Sequence, residues 1–300
     1  METFFTHATL WKNPLATLTF FAFGMSFVSL WFRKTAWLWG SFLAISTFLA
    51  FQAGIVTPVG LIPILIVMVF HFLMKKEIKR WGRLFLFALV SIMSLGLAFH
   101  LFPGFHNWQV ASNLAISPQA YPYNLWFNFD KPFIGIFALA WTIPLIQSRV
   151  QFQRVTRITI PLSILGIALM MLISLNTGLV KWDPKIPTIL FVWLIDNLVF
   201  VAIPEEAFFR GFFQKEVKQW LGQGRLASFG AVLGTSLFFT LLHVKWVPSI
   251  PFLCLVFVAG LIYGTIYEIT KSIESSIFCH FALNAAHFLL FTYPALKDVV

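Results

Sequence analysis

Glu205 and Glu206 stand side by side in the run Ile203-Pro204-Glu205-Glu206-Ala207-Phe208-Phe209-Arg210-Gly211. On a helix, Glu206 and Arg210 are four residues apart and share a face, so they can pair. Glu205 points about 100° away and is left out of that pairing. A desolvated carboxylate without its own cation suits a general base. Pro204 is placed to kink the helix just before the pair. Two further polar clusters follow. His243 closes Phe238-Phe239-Thr240-Leu241-Leu242-His243. His280 and Asn284, again four apart on one face, lie in Phe278-Cys279-His280-Phe281-Ala282-Leu283-Asn284. Facing one another, these groups would enclose a polar chamber.

The surroundings make that chamber unusual. The chain has 300 residues, of which 59% are hydrophobic and 11% charged. Soluble domains carry about 25% charged residues. The composition therefore excludes a soluble enzyme, a disordered chain and a disulfide scaffold, and describes a protein that crosses a bilayer several times. Each ionised group at mid-bilayer costs about 2.5–3.5 kcal/mol on insertion scales, so such groups persist where they are paired and functional. Asp196, Glu205, Glu206 and Glu268 are the acidic residues that fall in or at the edges of apolar runs.

Ten runs can form membrane helices, at about 14–32, 36–53, 58–74, 84–102, 133–147, 158–175, 188–213, 226–243, 252–269 and 277–293. The fifth is short. The first lacks a basic n-region and an A-x-A site before it, so it reads as a membrane helix, not a removable signal. The expected fold is all-α and polytopic, with the chemistry in the last four spans. Residues 1–175 are expected to form an N-terminal membrane bundle and 176–300 the catalytic core. The long polar loop 103–132 reads as an interfacial flap.

The net charge of +10 is a topology signal, not a nucleic-acid signal. Fifteen of the 21 Lys and Arg residues fall in alternate loops: Arg33 and Lys34; Lys75, Lys76, Lys79, Arg80 and Arg83; Arg149, Arg154 and Arg157; Arg210, Lys215, Lys218 and Arg225; and Lys271. The positive-inside rule places those loops in the cytoplasm. Cys254 and Cys279 have no CxxC or Cys/His spacing, so neither a disulfide framework nor a zinc knuckle is indicated. Two GxxxG patterns, Gly230/Gly234 and Gly260/Gly264, suit close helix packing.

Depth at 1.5 Å per residue agrees for two clusters. Counted from Lys215, Glu205 is roughly 15 Å deep, and counted from Lys271, His280 is roughly 13 Å deep. His243, counted from Arg225, comes out at roughly 27 Å. An interfacial His243 snorkelling outward beside Lys245 and Trp246 is the competing reading.

EExxxR (Glu205, Glu206, Arg210), FxxxH (Phe239, His243) and HxxxN (His280, Asn284), in that order on successive helices, resemble the CPBP family of intramembrane CAAX-type proteases and bacteriocin-processing enzymes, also called Abi proteins. The resemblance covers about residues 185–293. It implies peptide-bond hydrolysis in or near the membrane. Glu205 and His243 would activate water, His280 and Asn284 would stabilise the oxyanion, and Glu206 with Arg210 would brace the site. The partners implied are membrane lipids and a membrane-associated or lipidated peptide substrate. Two chemistries stay open: metal-free activation of water by Glu205 with His243, or a zinc ion held by His243, His280 and Glu205 with one position open. A proton-coupled transporter would use similar groups, but no inverted repeat relates the halves. A non-catalytic immunity or scaffold protein would not need all six polar residues.

Overall fold

The computed structural model describes residues 10, 12–32, 37–244 and 249–297. Arg33 and Lys34 of the topology argument, and Lys245 and Trp246 of the snorkelling argument, lie outside the described residues. Among the described residues, ten helical segments follow the ten apolar runs: α1 Pro14–Ser29, α2 Leu38–Gln52, α3 Pro58–Met74, α4 Arg80–Ala98, α5 Phe133–Trp141, α6 Arg149–Asn176, α7 at residues 190–221, α8 Arg225–Leu242, α9 Ile250–Thr270 and α10 Ile273–Leu290. Local sequence marks several starts. Pro14 occupies the first position of α1 and Asn13 caps it by accepting from the Ala16 N–H; Ser148 likewise accepts from the Gln151 N–H at the head of α6.

Five helices, α4, α6, α8, α9 and α10, are each long and apolar enough to cross a membrane. Their outer faces carry large apolar side chains in the open: Phe85, Ile92, Leu165 and Phe229 are all more than 60% exposed. Water would not tolerate so much apolar surface, whereas lipid does. The chain is an integral membrane protein.

A count of ten spans is not supported. Helices α1, α2 and α3 are apolar but have 15 to 17 residues. Helix α5 has nine residues, about 14 Å at 1.5 Å per residue, half the roughly 30 Å of hydrocarbon. Its length is explained by where it starts. The loop 103–132 is not a loose flap. It carries an antiparallel hairpin, β1 Trp108–Leu114 with β2 Tyr123–Phe127, a departure from a purely helical fold. After β2 the chain turns into the bundle. Phe127, Phe129 and Phe133 pack on Phe20 and Phe23 of α1, and Phe20 and Phe127 both meet Phe200 of α7. Helix α5 then runs from mid-bundle to the far end. There the Lys215 ammonium donates to the Thr142 carbonyl (2.9 Å), and Glu274 accepts from the Ile146 N–H (2.6 Å).

One end of the bundle is capped by loops tied by single β-bridges: Val56 to Phe105, Ala120 to Leu296 and Trp182 to Phe291. A polar clasp joins them. The Ser117 hydroxyl donates to Asp183 (2.5 Å) and accepts from the Tyr293 N–H. That bond holds the Asp183 carboxyl below the usual carboxylate range, with Lys185 adding to it. The opposite end is basic. Several cations assigned to loops belong to helices instead: Arg83 to α4, Arg154 and Arg157 to α6, Arg210, Lys215 and Lys218 to α7. Arg83 makes a two-pronged pair with Glu216, and Glu268 accepts from Lys218, Lys271 and Ser228. Glu268 is thus part of an ion cluster at the basic end, away from the polar chamber.

Of the two GxxxG patterns, Gly260/Gly264 makes close contacts. A Cβ at Gly260 would lie 3.0 Å from Ser236 of α8, and one at Gly264 would lie 2.8 Å from Gln214 of α7. Of the other pattern, a Cβ at Gly230 would lie 3.1 Å from the Leu221 side chain of α7, while Gly234 faces open space.

A candidate catalytic site of carboxylates and histidines

Helix α7 positions both glutamates, and it is not a regular helix. Two π-helical stretches, Asp196–Ala202 and Ala207–Gln214, flank a short α turn, Ile203–Glu206. Widened turns of this kind leave backbone groups looser and are frequent at functional sites. The α5 backbone packs directly on this turn: a Cβ on Gly135 would lie 2.6 Å from both Cα and O of Pro204.

Glu205 and His243 come together, and the disagreement in their depths disappears. Helix α7 continues to Leu221 before the turn into α8, so Lys215 is not the end from which to count. Glu205 lies sixteen residues before Leu221 and His243 eighteen after Arg225, which is about 24 and 27 Å along the two arms of one hairpin. They line the same cavity, together with Lys131, Phe99, Phe208 and Leu242. Its volume is about 60 Å³, room for a few waters but not for a peptide.

Glu205 is not the solitary carboxylate expected from sequence. The Lys131 ammonium lies 2.6 Å from its Oε1, with both side chains only 12% exposed. Lys131 comes from the inward-turning segment ahead of α5, and its neighbour fixes it there. Asp130 is 1% exposed. Its carboxylate accepts from the Lys131 N–H (2.9 Å), from Asn107 (3.1 Å) and from the ring Nδ1 of His100 (2.7 Å). No motif pointed to Lys131 or Asp130. The available signal was a cation at the mouth of an apolar run too short to cross.

Glu206, Arg210 and His280 form a second, fully enclosed group. The Glu206 Oε1 accepts from the Arg210 guanidinium (3.0 Å) and from Nδ1 of His280 (2.8 Å). Arg210 also donates to the Gly260 carbonyl (3.2 Å) and lies over the rings of Phe239 and Tyr263, at 4.9 and 5.3 Å from their centroids. His280 stacks on Tyr263 at 4.8 Å with the rings nearly parallel. The i,i+4 pairing read from sequence is present, and it ties α7 to α9 and α10. Glu206 Oε2 and Arg210 Nε have no partner among the described residues.

The histidine tautomers follow from their partners. At His243, Nδ1 lies 2.7 Å from the Phe239 carbonyl. A carbonyl only accepts, so Nδ1 carries the proton and Nε2 of the neutral ring is a base. At His280 the same logic makes Nδ1–H the donor to the Glu206 carboxylate. Asn284 donates to Asn197 (3.2 Å), which ties α10 to the first π stretch. Asp196 and Asn197 are both buried. His287 bonds the Thr292 carbonyl, and His71 packs edge-on against Phe212; both are structural, and His100 serves the Asp130 anchor. Among the described residues, no three His, Cys, Asp or Glu side chains group in a way that could hold a metal ion. Glu205, His243 and His280 are thus not assembled as a zinc ligand set: Glu205 is engaged by Lys131, and His280 by Glu206.

The fold and the site define a polytopic helical membrane protein with a buried carboxylate–histidine centre at mid-bundle. Residues 187–286 match the family model of type II CAAX prenyl endopeptidases, Rce1-like, in agreement with the resemblance of the three motifs. The match spans α7 to α10 and contains all six motif residues. Residues 1–186, including Lys131, lie outside it. No curated protein and no solved structure matches the chain.

Proposed function

We propose that the protein is an intramembrane endopeptidase that cuts a membrane-associated or lipidated peptide. The observation that carries this reading is the meeting of Glu205 and His243 in one apolar-walled, water-sized cavity, inside the segment matched by an endopeptidase family. Glu205 takes a proton from water, with Nε2 of His243 as the second acceptor. The hydroxide adds to the scissile carbonyl carbon, and the carbonyl π pair becomes an oxyanion. Collapse breaks the C–N bond, and the proton held by Glu205 passes to the leaving amine. His280 and Asn284 of α10 stand behind this cavity, bonded to Glu206 and Asn197. Glu206 and Arg210 hold His280 in place and keep α7, α9 and α10 in register.

The cavity wall joins α4, through Leu95 and Phe99, to the end of α8, through Leu242 and His243. An apolar or lipidated segment reaches it sideways from the bilayer. With the basic end in the cytoplasm, the site faces lipid at mid-depth.

The test is direct. The purified protein in lipid nanodiscs is incubated with farnesylated and unmodified peptides, and products are identified by mass spectrometry. Defined cleavage supports the reading. Proton-coupled uptake in proteoliposomes without cleavage would replace it with a transporter.

A further inference from the structure

The proteolytic reading leaves one charge without a task. Two ion pairs stand at the site, Glu205 with Lys131 and Glu206 with Arg210, each neutral as a pair, and buried Asp196 also faces Lys131. Low-dielectric surroundings make that balance strict, because an uncompensated charge there is expensive. When Glu205 takes a proton from water, its own charge disappears and the 2.6 Å ion pair with Lys131 is lost. At the same moment a negative charge forms on the substrate oxygen. His280 is poorly suited to balance it. Its Nδ1 is committed to Glu206, and it does not line the cavity that holds Glu205 and Lys131.

We propose that Lys131 is a catalytic residue of this site, an ammonium that neutralises Glu205 at rest and turns to the substrate oxyanion as Glu205 takes up its proton. The proposal rests on the endopeptidase reading and deepens it. Charge balances at each stage: carboxylate and ammonium before attack; neutral acid, ammonium and oxyanion after it. On collapse the proton leaves Glu205 for the amine, and Lys131 returns to the carboxylate. The lysine stem allows the short swing, and the Asp130 anchor keeps the backbone still while it happens. Lys131 and Glu205 line the same cavity, so the oxyanion need not travel. The residue also gives the N-terminal half of the chain a chemical part in the reaction.

The experiment uses full-length protein in nanodiscs with a peptide that wild type cleaves and Glu205→Gln does not. If wild type cleaves nothing, or Glu205→Gln still cleaves, the endopeptidase reading fails and Lys131 is not the reason. With that control in hand, Lys131→Met and Lys131→Arg are compared. Lys131→Met is expected to lower kcat at least about a hundredfold, the scale of losing one oxyanion donor, with KM within about threefold. Lys131→Arg, which keeps the charge, is expected to recover at least about tenfold of that loss. An unchanged or raised kcat in Lys131→Met would overturn the proposal and make Lys131 a lock on Glu205. Equal loss in both variants would also overturn it, since charge would then not matter. Should Lys131→Met not fold, Lys131→Gln, which still hydrogen-bonds to Glu205, carries the same comparison.

Discussion

Gly135 of α5 touches Pro204 of α7 backbone to backbone: a Cβ on the glycine would lie 2.6 Å from the proline Cα and 2.6 Å from its carbonyl oxygen. Neither atom belongs to a flexible side chain, so the helices would have to separate. Pro204 directly precedes Glu205. Gly135→Ala is therefore expected to destabilise the fold by about 1–3 kcal/mol and to reduce turnover by moving the glutamate. Gly40→Ala in α2 is the control, because a Cβ there meets nothing within 4 Å. Detergent-solution melting and a cleavage assay on both variants check the pair.

Glu206 carries stability where Glu205 carries chemistry. Its Oε1 is shared by Arg210 and His280 in a fully buried setting. Glu206→Gln would leave the guanidinium without its counter-charge, and removing one partner of a buried pair costs about 3–5 kcal/mol. Glu268→Gln at the basic end removes pairs that reach solvent and should cost under about 1 kcal/mol. Equal melting points for the two variants would contradict this division.

The loop cap should respond to acid in a defined sense. Ser117 holds the Asp183 carboxyl below the usual carboxylate range. A carboxylate depressed in the folded state contributes stability above its unfolded value of about 3.9 and loses it as the pH falls through the folded value. Ser117→Ala is thus expected to loosen the cap at pH 7, read as faster protease nicking in 177–189, with the difference from wild type shrinking toward the acid end to what the Tyr293 N–H bond contributes. A difference that grew with acid would contradict the assignment.

The helical segments and the Glu206–Arg210 pair were legible in the sequence because each rests on a local signal. Apolar runs mark the segments, and the spacings Glu206/Arg210 and His280/Asn284 put each pair on one face. Local signals also set the limits. Counting depth for Glu205 from Lys215 failed because α7 runs on to Leu221, and a cation inside a helix looks like a loop cation in a linear reading. The fifth run looked like a short span because nothing in 133–147 reveals that its start lies at mid-bundle, where Phe129 and Phe133 bury against α1. Lys131 followed from neither period nor motif. Its place beside Glu205 is a tertiary fact, set by a hairpin that descends and an Asp130 that accepts three hydrogen bonds.

The central claim is that Glu205 activates water for peptide hydrolysis. The measurement is cleavage of a farnesylated or membrane-derived peptide by wild type and Glu205→Gln in parallel, in nanodiscs, read by mass spectrometry with and without a metal chelator. Glu205→Gln keeps the size of the side chain and removes its basicity. The account predicts defined products from wild type, unaffected by the chelator, and a loss in the variant of at least about a hundredfold, the usual scale for a general base. Products formed equally by both proteins would contradict it.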